Sequence, residues 1–181
     1  MNPKRLVAVL TCTFALAASA CATAGGSAPV SAGPSPGAFA SPGQGWRAAR
    51  FGMTPEEVLA VLPKEAFRLS PEVTLADGNV VAVGIDGLAF EGLTFDVRFI
   101  FTGGKLSLVS LRTPEKKLVD ADAYARLRDA LVKQWGPPLE ETKDDNFVDM
   151  RQTRWERRSD RADLKYIPGV VVLLHYPRPP G

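Results

Sequence analysis

A chain of 181 residues, 45% hydrophobic and 23% charged, has the size of one globular domain or of two small units sharing a core. Lys4 and Arg5 supply the formal charge of +2; without them the chain holds 20 basic and 20 acidic residues, which excludes a general nucleic-acid footprint. Both cysteines, Cys12 and Cys21, lie near the N-terminus and His175 is the single histidine, so a disulfide framework, a cysteine metal site and most zinc, haem or Ser-His-Asp schemes are excluded.

Residues 1–5 form a short basic region, and residues 6–20 are apolar apart from Thr11, Thr13 and Ser19. Fifteen such residues fall short of the roughly 20 that a spanning helix needs and fit a secretory signal peptide, assigned to residues 1–20. Two cleavage readings stand. Ala18-Ser19-Ala20 is an A-x-A site, and with Cys21 it also resembles a bacterial lipobox, in which the cysteine becomes the lipid-modified first residue. Ala18 replaces the usual aliphatic residue three before the cysteine. Lipidation at Cys21 is the favoured reading, because an Ala/Gly/Pro/Ser tether follows and a lone exported cysteine needs a use. Ala22 resembles the residue found after the cysteine of outer-membrane-destined lipoproteins. Residues 21–44 carry no charge and one large apolar side chain, Phe39, so they cannot bury enough surface to offset ordering entropy. Their flexible-chain reach is roughly 25–30 Å.

A single domain is expected over 45–178, with units 45–112 and 118–176. The first unit opens with a helix start. Thr54 is an N-cap, Pro55 occupies the first helical position, Glu57 completes a capping box, and Met53 with Val58 suits a hydrophobic staple. Val58, Val61 and Leu62 predict an apolar stripe, and Pro63 the stop. Residues 64–76 are ambiguous. Asp77-Gly78-Asn79 reads as a turn, and 80–90 as a strand kinked at Gly84 or Gly87. Leu93, Phe95, Val97, Phe99 and Phe101 alternate with Thr94, Asp96, Arg98 and Ile100, which predicts a strand with its odd face on the core. Gly103-Gly104 is a two-residue hairpin turn, and the change of phase between Leu106, Leu108 and Val109, Leu111 predicts a bulge in the returning strand.

In the second unit Asp120 or Asp122 caps a helix whose apolar face is Tyr124, Leu127, Leu131 and Trp135, with Asp122–Arg126 and Asp129–Lys133 as i,i+4 pairs. Gly136 ends it, before Pro137-Pro138. Glu140, Glu141, Asp144, Asp145 and Asp149 read as a solvated acidic loop, because Val148 and a missing glycine break any calcium-loop pattern. Residues 147–157 form a strand with Trp155 inward; residues 158–161 form a hairpin loop. Ala162, Leu164 and Tyr166 alternate on the next strand, and 170–176 is the last, carrying His175 as a rim or core residue in preference to a catalytic one. Arg151, Arg154, Arg157, Arg158, Arg161 and Lys165 concentrate on these hairpins. They are either a patch for an anionic partner or lipid headgroups, or edge charge that blocks strand pairing.

Each unit reads as a helix and then three antiparallel strands. The expected class is α+β, with helices packed on one face of an antiparallel sheet that forms one layer or two. Gly52-Met53-Thr54-x-x-Glu57-Val58-x-x-x-Leu62 resembles the helix-start motif of SmpA/OmlA-type outer-membrane assembly lipoproteins, the BamE family. The element order and tether are similar to that family, and the paired units are similar to beta-lactamase-inhibitor-like repeats. The resemblance implies an architecture and a protein-binding role, and no functional residue is carried over. The sequence thus predicts a non-enzymatic lipoprotein of the bacterial cell envelope, at the periplasmic face of the outer membrane, serving protein interaction or assembly. A binding module for an anionic envelope ligand and an envelope hydrolase are the alternatives. Its partners are an envelope protein and, through Cys21, the membrane. No catalytic, metal or cofactor residue is expected.

Overall fold

The computed structural model describes residues 45–114, 118–144, 149–157 and 160–177. The signal peptide at 1–20, the tether at 21–44, Cys21 and Arg158 lie outside the described residues.

Two short strands, β1 (Gly45–Trp46) and β2 (Ala49–Arg50), open the described chain as a hairpin that sequence periodicity does not reveal. Gly45 has φ +121°, and a Cβ on it would lie 2.1 Å from the Ala49 carbonyl oxygen, so only glycine fits there. The hairpin delivers Trp46 into the core at 1% exposure. After it, the Gly52 and Leu106 amides donate to the Leu106 and Met53 carbonyls at 2.9 and 2.7 Å, which ties the start of α1 (Pro55–Val61) to the sheet. The capping box forms as the letters require. The Thr54 amide donates to Glu57 Oε2 at 2.7 Å, and the Glu57 amide to Thr54 Oγ1 at 3.3 Å. Val58 and Leu62 are buried, whereas Val61, expected on the same stripe, is 37% exposed. A seven-residue helix has no stability of its own and is held by these contacts.

The remaining strands are β3 (Phe67–Thr74), β4 (Val80–Phe90), β5 (Leu93–Thr102) and β6 (Lys105–Arg112), then β7 (Glu140–Asp144), β8 (Met150–Glu156), β9 (Asp160–Ile167) and β10 (Val170–Pro177). They form one antiparallel sheet in the order β3-β4-β5-β6-β10-β9-β8-β7. Two four-stranded meanders therefore meet at their last strands, with Leu111 opposite Leu173 and Val109 opposite His175. Between them runs α2 (Ala121–Trp135), which buries Ala123, Tyr124, Leu127, Leu131 and Trp135. Asp120 caps it by accepting from the Ala123 amide at 2.7 Å.

This architecture overturns the expected α+β plan of two helix-then-three-strand units. Among the described residues strand takes 57% and helix 18%, and the fold is a β-rich antiparallel sheet with only two helices. The expectation failed on the edges. β3 lies in the segment read as ambiguous, and β7 takes Glu140, Glu141 and Asp144 of the segment read as an acidic loop. Neither strand contains a fully buried residue. Each is bound by backbone pairing to one neighbour, so neither needs the alternation by which inner strands are recognised. Pro71 sits where the β3–β4 register shifts, between Arg68 and Val73, a place that asks for no amide donor.

Other irregularities follow the sequence. The β5–β6 register shifts at Ile100/Phe101, leaving Ser107 as the extra residue, so Leu106 and Val109 both face inward. The β4 register shifts between Ile85 and Leu88, where Gly87 has φ +71°. Phe95, Val97, Phe99 and Phe101 are all at most 2% exposed and form one wall of the core.

Candidate functional site

Alternation decides which side of the sheet each residue takes. Leu173 on β10 lies opposite Leu111 on β6 and Leu164 on β9, and all are buried in the core shared by α1, α2 and the β1–β2 hairpin. The intervening Val170, Val172 and Leu174 therefore point to the other face, and all three are half-buried. No described helix contributes to that face. Val170 is paired with Ile167, which is 50% exposed, and Met150 on β8 is 40% exposed. On the first meander Leu108, Ile100 and Val81 share register positions and form a separate aliphatic row, because Arg112 and Ser110 stand opposite Val172 and Leu174. The open face thus carries aliphatic side chains on both meanders, with polar residues of β6 beside Val172 and Leu174 at their junction.

Charged residues surround it. Arg112 and Lys165 flank Val172 on the neighbouring strands, and Ser110 and Asp163 flank Leu174. Arg98 reaches Asp86 at 2.7 Å and the Val97 carbonyl at 2.9 Å. Arg154 bridges Glu140 at 2.7 Å and Asp163 at 3.0 Å, and Arg161 lies 3.7 Å from the other Asp163 oxygen.

The sequence-predicted basic cluster is not brought together as one patch. Arg154, Arg161 and Lys165 lie on the open face by register with Asp163, Glu156 and Gln152. Arg151 is the register partner of the buried Tyr166 and so lies on the helix side, where it holds Asp149 through two bonds of 2.9 and 2.8 Å. That guanidinium keeps the Asp149 carboxyl below the usual range. Arg157 stacks over Trp135 at 5.1 Å and donates to the Gln134 carbonyl at 3.2 Å. Arg154 and Arg151 are thus engaged with carboxylates of the same chain, which spends the charge that an anionic ligand would need.

His175, read from the sequence as a rim or core residue, is 3% exposed on the core face. Its Nε2 lies 2.9 Å from Oδ2 of Asp160, which is 0% exposed. Phe51 and Trp135 stand edge-on to the imidazole, with centroids 5.2 and 5.3 Å away. The adjoining void, lined by Trp46, Trp155 and Leu173, is only about 10 Å³, no more than one water's space. A solute substrate has no access, so the pair is a structural feature of the core. Sequence reasoning missed Asp160 by placing it in the 158–161 hairpin loop. A second buried polar contact joins the Tyr124 hydroxyl to Thr153 Oγ1 at 2.6 Å; burial pushes the Tyr124 phenol above its usual range. Among the described residues no group of three or more His, Cys, Asp or Glu side chains is placed to hold a metal. No described helix is long and apolar enough to cross a membrane.

Comparison with known protein families, with characterised proteins and with solved structures finds no match to this chain.

Proposed function

We propose that the protein is a non-enzymatic lipoprotein of the bacterial cell envelope that docks a partner protein on the open face of its sheet. The observation that carries the docking reading is the aliphatic band of Val170, Val172, Leu174 and Ile167, which no described element covers. Bands of this kind, rimmed by paired charges, suit protein recognition, in which a desolvated apolar centre supplies affinity and the charged rim supplies orientation. The sheet edges are poorer candidates. β7 is charged at four of its five positions and β3 carries Pro71, devices that discourage strand addition. Export and anchoring rest on the apolar run at 6–20 and on Cys21, and the helix-start motif at 52–62 supports an assembly-lipoprotein role.

A photocrosslinking residue placed at Leu174 or Val172 in living cells should trap one reproducible envelope protein, identified by mass spectrometry. The same probe at Lys105, the exposed first residue of β6, should not. Equal, diffuse labelling from all three positions would remove the basis for the reading. Anchoring has a separate test. Cys21→Ala should move the protein from the membrane fraction into the soluble periplasmic or secreted fraction. If the alanine variant stays with the membranes, lipidation is not what holds it there.

A further inference from the structure

Each half of the sheet repeats the other. A capped helix precedes each meander, with Thr54 and Asp120 as the caps, and the third strand of each meander carries one five-residue pattern. Asp96-Val97-Arg98-Phe99-Ile100 on β5 and Asp163-Leu164-Lys165-Tyr166-Ile167 on β9 both read acid, apolar, base, aromatic, isoleucine. In both, the apolar and aromatic members are buried in the core, so alternation puts the acid, the base and the isoleucine on the open face. Because β6 and β10 meet antiparallel at the centre, a half-turn about an axis normal to the sheet carries one meander onto the other, strand for strand.

The aliphatic rows obey the same half-turn. Leu108, Ile100 and Val81 on β6, β5 and β4 correspond to Val170, Ile167 and Met150 on β10, β9 and β8. Val73, opposite Val81, extends the first row, and Met150 and Ile167 line a hollow of about 280 Å³ in the second. Of the seven exposed large apolar side chains among the described residues, four lie on this face: Phe67, Val73, Met150 and Ile167. Between the rows, each register pair of two charged residues joins opposite signs: Asp96 with Arg112, Arg154 with both Glu140 and Asp163, and Arg161 with Glu156. Arg98 is matched by Asp86. The face therefore has no excess of one sign by which an oppositely charged partner would be chosen.

We infer that the open face is covered by a second copy of this chain, sheet against sheet, with the two aliphatic rows of one copy packed on those of the other. The inference rests on the docking reading and names the partner. A surface that presents one contact twice, at a fixed spacing, calls for a partner that does the same. A second copy turned over onto the face supplies it through an isologous interface, and paired charges let like face meet like. Eight strands of typically eight residues span roughly 34 by 26 Å, a footprint that matches the area of about 800 Å² per partner in stable complexes.

The test uses two copies of the full chain with different epitope tags, expressed in the same cells, one of them with a photocrosslinking residue at Ile167. An adduct of twice the chain mass carrying both tags is expected. The same probe at Leu139, which is 64% exposed but lies off this face, should give about tenfold less. The detergent-purified chain should sediment as a dimer at about 10 μM. Val73→Asp combined with Met150→Asp, one exposed position in each row, should raise the dissociation constant at least about tenfold, whereas Leu139→Asp should leave it unchanged. An adduct from Ile167 with a different protein alone would overturn the second copy and leave the docking reading standing. No discrete adduct from Ile167, Val172 or Leu174 would remove both. A dual-tag adduct as strong from Leu139 as from Ile167, or a double aspartate variant that dimerises like the parent, would also overturn the inference.

Discussion

His175→Ala is expected to lower the unfolding free energy by about 3–5 kcal/mol, read from urea denaturation at neutral pH. The imidazole fills a site walled by Phe51 and Trp135 and meets a carboxylate that is 0% exposed. Truncation therefore combines a cavity with the loss of Asp160's imidazole partner. Replacing both residues by leucine should cost less than replacing His175 alone, because it refills the space and removes the polar pair together. The pair joins β9 to β10 near their open end, where Asp160 lies opposite Pro177. Loss of the contact should therefore also raise exchange of the Arg157 amide, which donates to the Asp160 carbonyl at 2.8 Å. A His175→Ala variant within 1 kcal/mol of the parent protein would show that the pair does not hold this end of the sheet.

The second large effect belongs to Trp46. Trp46→Ala should cost about 3–5 kcal/mol, measured in the same way. The indole is 1% exposed, meets Phe99 edge-on at 5.7 Å and is covered by the Arg47 guanidinium at 4.6 Å. Trp46→Phe should be much milder, because the buried Trp46 Nε1 has no hydrogen-bond partner among the described residues. Phenylalanine retains most of the apolar surface and removes that donor. The ratio between the two variants is the informative quantity. If alanine and phenylalanine cost the same, packing of the indole ring is not what the hairpin contributes. A negligible cost for alanine would mean that β1 and β2 are an appendage and that the stable unit begins near Thr54.

The two predictions draw on different kinds of sequence information. Trp46 stands just past the uncharged stretch ending at Gln44, so its chemistry was visible, but a two-residue strand has no period to detect. Its position depends on Gly45, whose backbone approaches Ala49 too closely for any side chain. Asp160 and His175 are fifteen residues apart, and the apolar alternation on β9 begins only at Ala162. Extending it one step, to Asp160, would have placed an acid on the core face beside the single histidine. The basic cluster failed for a related reason. Counting cations along the chain does not show that Arg151 and Arg154, three residues apart on one strand, point to opposite faces. Nor does it show that Glu140 arrives on a neighbouring strand to meet Arg154.

The sequence by itself determined the local grammar. The Thr54–Glu57 box, the buried stripe and Gly136 boundary of α2, the alternating wall of β5, the Gly103-Gly104 turn and the presence of a bulge in β6, though not its place at Ser107, follow from propensity, capping and period, which act over a few residues. Tertiary structure alone decided the class of the fold. β3 and β7 exist because β4 and β8 offer unpaired backbone amides and carbonyls along a free edge, and backbone pairing is indifferent to side-chain pattern. It also decided that the meanders join through β6 and β10 into one sheet, which leaves Val172 and Leu174 on a face that no described helix covers. The junction pairs residues some sixty positions apart, beyond the range of any local signal. The surfaces open to a partner are products of that pairing.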